Sequence, residues 1–192
     1  MARKDLREEI EITEGINAVI EGDKIIIKKG EAGSEKSEGA NELERKLDRR
    51  VDIKINGNKI ILESKQTTKN DRKMFGTMKA HINNMITGLT EKFKYKLQIA
   101  NVHFPMNVSH DKDKNILIIK NFLGEKKDRI VKLVEGVEIK VGKEDIELES
   151  INIEKAGQCA ANIEKGAKVR NKDRRIFQDG IFIIEKPRRN FM

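Results

Sequence analysis

One pattern is written twice in this chain. Residues 51–64, VDIKINGNKIILES, align with residues 137–150, VEIKVGKEDIELES. Val, Ile, Lys, Ile, Leu, Glu and Ser recur at one constant offset, and Asp52/Glu138 and Ile55/Val141 are conservative pairs. Strand propensity alone makes hairpins resemble one another. The shared Glu-Ser ending and the helical pattern after each copy point instead to duplication. The expected fold class is therefore α+β. Two tandem homologous domains, over 1–93 and 94–192, would each pack a small, mostly antiparallel β-sheet against one α-helix.

The first copy runs into residues 68–105, which read as a long helix and then a strand. Met74, Phe75, Met78, Ile82, Met85, Ile86, Leu89 and Phe93 recur at the spacing of one helix face. Thr68 with Asp71 three residues on reads as a capping start, and Gly88 as the stop. Residues 94–104 then alternate, but with a slip of phase. Tyr95, Leu97 and Ile99 share one face, whereas Val102 and Phe104 fall on the other. Because a one-residue slip exchanges the two faces, this strand is expected to form a seam between two cores.

Other signals are local. Asn56-Gly57-Asn58 marks a hairpin between 51–55 and 59–64. Short strands are expected at 9–13, 17–20 and 24–29, with 40–47 ambiguous between strand and helical turn, and 30–39 is a polar, glycine-rich loop. In the second half, strands are expected at 107–109, 115–121, 128–133, 137–141 and 145–149. A helix over 153–167 has a face of small residues. A last hairpin is expected to pair 174–177 with 181–184 across Gln178-Asp179-Gly180.

Charge narrows the function. The chain carries 38% charged and 37% hydrophobic residues, enough apolar content to pack cores rather than remain a disordered tail. Its formal net charge is +8, and the excess is local. Lys168, Arg170, Lys172, Arg174, Arg175, Lys186, Arg188 and Arg189 face only Asp173, Asp179 and Glu185 over 168–192, a net of +5. Lys65, Lys69, Arg72, Lys73 and Lys79 face only Asp71 over 65–79, a net of +4. Two patches that hold all the excess point to a polyanionic partner. A cationic loop held on a rigid base reaches phosphates, and Arg adds planar bidentate contacts. The second patch surrounds a helix start, whose free amides favour phosphate. Few aromatics argue against a single-strand stacking platform and for folded RNA recognised by shape and backbone.

Catalytic chemistry finds no foothold. His81, His103 and His110 make no metal-ligand spacing with another His, Cys or paired carboxylate. His81 flanks the apolar helix face and reads as a packing or polar-contact residue. Cys159, the single cysteine, lies among alanines as a buried, inert thiol and fits a reducing compartment. Gly136, Gly142 and Lys143 have the wrong spacing for a phosphate-binding loop and lack its Ser/Thr. No enzyme, cofactor, metal or small-molecule substrate is expected. No apolar run spans a bilayer and residues 1–10 lack a signal-peptide core, so a soluble, intracellular protein without membrane partners is expected.

The segment MKAHINNMITGLTEKFKYKLQIANVHFPMNV, residues 78–108, resembles the large-subunit ribosomal protein six family in its archaeal/eukaryotic form. Asn84-Met85, Gly88-Leu89-Thr90, Phe93 with Tyr95-Lys96, and His103-Phe104-Pro105 stand where that family has its helix and crossing strand. Residues 170–181, RNKDRRIFQDGI, are similar to the family's C-terminal RNA-facing loop. The resemblance implies two homologous domains and a structural role in the large ribosomal subunit. It further implies 23S-type rRNA binding near the sarcin–ricin loop and the factor-binding centre, mainly by the C-terminal domain. Expected partners are rRNA and neighbouring ribosomal proteins, with translational GTPases nearby. The competing reading is a basic adaptor that binds an acidic protein.

Overall fold

The computed structural model describes residues 4–30, 42–187 and 189–190, and it divides into two units, Met1–Lys92 and Phe93–Met192. In the first, β1 (Lys4–Glu11), β2 (Ile16–Glu21), β3 (Lys24–Lys29), β4 (Glu42–Lys46), β5 (Asp52–Asn56) and β6 (Lys59–Thr67) precede α1 (Lys69–Thr90). In the second, β7 (Phe93–Ala100), β8 (Asn107–Asp111), β9 (Ile116–Lys120), β10 (Arg129–Lys132), β11 (Glu138–Val141) and β12 (Asp145–Ser150) precede α2 (Ile153–Gly166). Then come β13 (Gly180–Lys186) and β14 (Arg189–Asn190). The fold is α+β, with antiparallel sheets and one helix in each unit. The glycine-rich stretch 31–39 lies outside the described residues.

Topology repeats the sequence. The first unit has sheets ordered β1-β6-β5 and β2-β3-β4. The second has β10-β9-β8 and β11-β12-β7-β13-β14, in which β11-β12-β7 reproduces β5-β6-β1. The duplicated hairpins bury the same positions: Ile60 and Leu62 in one, Ile146 and Leu148 in the other. Their closing serines are buried and make equivalent bonds. Ser64 Oγ donates to the Arg50 carbonyl at 3.0 Å, and Ser150 Oγ donates to the Gly136 carbonyl at 2.8 Å. The preceding glutamates match too, since Arg7 pairs with Glu63 at 3.7 Å and Lys94 with Glu149 at 3.3 Å. The turn between β5 and β6 uses Gly57 at φ +56°, a left-handed conformation that favours glycine.

Both helices begin with side-chain caps. Thr68 and Asp71 form the reciprocal box, with the Thr68 amide donating to Asp71 Oδ2 at 2.9 Å and the Asp71 amide to Thr68 Oγ1 at 3.4 Å. Asn152 Oδ1 accepts from the Glu154 and Lys155 amides at the start of α2. Along α1 the expected face is buried through Phe75, Met78, Ile82, Met85, Ile86 and Leu89. Gly88 does not stop it. That glycine lies on the buried face and the helix continues to Thr90, because packing outweighs the roughly 1 kcal/mol penalty of an interior glycine. On α2, Ala156, Cys159, Ala160 and Ile163 join Leu97, Ile146 and Leu148 in one core. Bulky strand residues meet small helix residues, which allows close docking.

Three expectations change. Residues 42–46 form a strand, resolving the ambiguity at 40–47. The strand over 94–104 does not slip phase: β7 ends at Ala100 with Tyr95, Leu97 and Ile99 buried, and Val102 and Phe104 are exposed beyond it. It is not a seam but the middle strand of the second unit's larger sheet. The hairpin expected across Gln178-Asp179-Gly180 is absent. Residues 174–177 are outside any strand, and β13 pairs with β7, matching Ile181 to Ile99 and Gly180 to Ala100. One residue accounts for the last two differences. Asp179 is buried, and its Oδ1 accepts the backbone amides of Val102 and His103 at 2.9 Å each. That contact bends the chain away from β7 where alternation alone suggests continuation.

Candidate nucleic-acid interface

The basic loop between α2 and β13 is built from its few acidic and amide residues. Asn171 takes a left-handed φ of 56°, which Asn tolerates better than most residues. Asp173 Oδ1 accepts the Arg175 amide at 2.9 Å, and the Asp173 carbonyl accepts the Ile176 and Phe177 amides at 3.2 and 2.9 Å. Asp173 thus folds the loop through its carboxylate and its carbonyl. Lys168, Arg170, Lys172, Arg174 and Arg175 all emerge exposed from this frame.

Two anchors fix the loop's ends. At its start, Arg129 lies over the Phe122 ring at 3.8 Å from the centroid and pairs twice with Glu125, at 2.8 and 2.5 Å. Its Nη1 also donates to the Gly166 and Lys168 carbonyls, at 3.1 and 2.9 Å. The Arg129 hydrogen bonds hold the Glu125 carboxyl below the usual range, and the charges of Arg170 and Lys172 lower it further. At the loop's end, Asp179 Oδ2 meets His103 Nδ1 at 2.6 Å. Burial alone would push the Asp179 carboxyl up. Hydrogen bonds from the His103 backbone and ring and from Val102 outweigh this and bring it below its ordinary value. The His103 ring packs on Phe177 at 5.0 Å, and Lys172 Nζ lies 4.4 Å from the Phe177 centroid. Arg129 and the His103–Asp179 pair carry no charge-cluster signal in the sequence, since their partners are distant in it.

The rest of the expected patch is less unified. Lys186 is exposed on β13. The backbone of Arg189 forms part of β14, and Arg188 lies outside the described residues. Around the start of α1, Lys65, Lys69, Arg72 and Lys73 are exposed. Lys79 differs from them, because it is half-buried and its Nζ pairs with Glu8 on β1. Further along the helix than the others, it is drawn to the sheet.

Among the described residues no group of three His, Cys, Asp or Glu side chains could hold a metal, and no helix is long and apolar enough to cross a membrane. Burial raises the pKa of the Cys159 thiol, which is enclosed in the core of the second unit. His81 is half-buried and contacts Arg45 at 2.9 Å, as a polar-contact residue would.

Fold and charge define a duplicated α+β protein whose second copy carries a braced cationic loop. Residues 104–180 match the family model for ribosomal protein L6. The large ribosomal subunit protein uL6 of Methanococcus vannielii is 43% identical over 182 residues, covering 94% of each chain. The proteins of that name from Methanobrevibacter smithii and Desulfurococcus amylolyticus are 39% and 38% identical, covering 94% and 93% of this chain and 96% and 94% of their own. The chain belongs to the ribosomal protein L6 family. It is accordingly a structural protein and not an enzyme.

Proposed function

We propose that the chain is a structural constituent of the large ribosomal subunit in the cytoplasm, where it binds 23S-type rRNA. The second unit makes the main contact, through Lys168, Arg170, Lys172, Arg174 and Arg175. Lys186, Arg188 and Arg189 are further candidate contacts, and Lys65, Lys69, Arg72 and Lys73 make a subsidiary set. On this reading the contact lies near the sarcin–ricin loop and the factor-binding centre, beside other ribosomal proteins and within reach of translational GTPases, and the family resemblance supports it. The observation that carries the reading is the 168–179 loop itself. Five exposed cations stand on a frame fixed at both ends, so ordering the loop costs little when phosphates bind.

The test compares two double variants in binding to large-subunit rRNA fragments across a salt series. Arg174→Ala with Arg175→Ala removes two exposed loop cations and is expected to lower affinity at least tenfold. The slope of log affinity against log salt should fall by about 1 for each phosphate no longer neutralised. Lys24→Ala with Lys28→Ala removes two exposed cations already paired with Glu44 and Glu42, at 2.9 and 3.1 Å, and should change little. Equal losses, or a flat salt response, would remove the loop from the interface. Co-sedimentation with large subunits through a high-salt wash separates this reading from an adaptor for acidic proteins.

A further inference from the structure

A groove of about 610 Å³ opens between the end of α2, the 168–179 loop and β13. Its apolar wall includes Val169, Ile181 and the ring of Phe182, and its rim carries Lys165, Lys168 and Arg174. Two acidic residues also line it, and both accept backbone amides. Asp179 is 1% exposed with both oxygens bonded to the 102–103 segment, and Glu164 Oε1 accepts the Ile183 amide at 3.4 Å. The groove therefore presents three cations and the half-buried Glu164 carboxylate around an apolar wall.

Phe182 is the ring available inside it. Phe177 is occupied by His103 and Lys172. Phe182 instead lies across Gly180, where a Cβ would come within 2.9 Å of its ring, and it remains 40% exposed. Glycine at 180 lets the ring lie close to the strand backbone, a neighbour that cannot tilt it away. The volume falls in the range of small-molecule sites, well beyond what a phosphate alone would need.

We infer that this groove receives one unstacked nucleobase of the bound RNA, stacked on Phe182, with its flanking phosphate on Lys168 or Arg174. The inference rests on the RNA-binding reading above and adds a base-sized site to it. A flat π-face recognises any base, while the cationic rim selects a nucleotide over an apolar peptide.

Binding of a large-subunit rRNA fragment by Phe182→Leu and Phe182→Ala tests it, with circular dichroism confirming the fold. Leucine keeps an apolar cover over Gly180 and removes the π-face. Both variants should bind roughly 5- to 150-fold more weakly with the salt slope unchanged, since every cation that meets a phosphate is kept. Ultraviolet cross-linking of the wild-type complex should place a nucleotide on the peptide containing Phe182. Wild-type affinity in Phe182→Leu would reduce the ring to a cover for Gly180 and overturn the inference, and so would a cross-link from that peptide to a neighbouring protein in assembled subunits. If Arg174→Ala with Arg175→Ala still weakens binding in that case, the base site alone is refuted. If neither change alters binding, the RNA reading itself fails.

Discussion

The two copies share a frame and diverge after the helix. In the first unit, α1 ends at Thr90 and β7, the opening strand of the second, begins at Phe93. In the second, α2 leads into the basic loop and then β13, which pairs along the edge of β7. No described strand pairs with the corresponding edge of β1. The duplicated frame therefore supplies stability, and the segment without a counterpart supplies the proposed contact surface. The hairpin, the side-chain cap and the helix recur in both units, and among the described residues only the second carries the extra strand.

The largest expected effect tests whether the frames are energetically equivalent. Ile60→Ala and Ile146→Ala each empty a fully buried repeat position and should each cost about 2–5 kcal/mol in denaturant unfolding. A clear gap between them would show that one core relaxes where the other does not. Next comes the addition itself. Asp179→Asn keeps an acceptor for the amides but weakens the bond to His103, and at neutral pH it should cost about 1.5–3 kcal/mol. Asp179 is held below its ordinary value in the fold. Its stabilisation is thus full above the unfolded aspartate pKa of about 3.9 and disappears as pH falls through the lower folded value. Wild type and variant should converge on acidification, as measured by thermal unfolding across pH. A difference that persists in acid would mean that the carboxylate's charge is irrelevant.

The smallest effect concerns the paired serines. Ser64→Ala and Ser150→Ala each orphan a carbonyl, and each should cost about 1–3 kcal/mol by the same unfolding measurement. A larger cost at Ser150 would reflect its second bond, since Ser150 Oγ also accepts the Asn152 amide at 3.2 Å, and equal costs would show that this bond adds nothing.

Sequence makes legible the features that near neighbours decide. The Thr68–Asp71 cap, the Asn56-Gly57 turn, the apolar face of α1 and the duplicated hairpin all depend on residues a few positions apart. The end of β7 is not legible, because the residue that turns the chain at Val102 and His103 is Asp179. Asp179-Gly180 has the chemistry of a turn, yet the aspartate is buried against a distant loop. The cations of the interface are visible as charge. Their support is not, since Arg129 acts on the carbonyls of Gly166 and Lys168 from another strand. Lys79 falls within the patch by position alone, because nothing nearby in sequence shows Glu8 beside it.

The place of β7 has a consequence in time. In the first unit, the sheet β1-β6-β5 is complete before α1 emerges during synthesis. In the second, β7 emerges first, takes β12 on one edge and receives β13 on the other only after α2 has been made. Closing that edge brings Ile181 to Ile99, a pairing of high sequence separation and so a slow one. Until it forms, the backbone of β7 is open on one side, Asp179 is not yet in place, and the cationic loop has only its Arg129 anchor. The surface proposed to meet RNA therefore depends on a strand pairing between segments roughly eighty residues apart in the sequence.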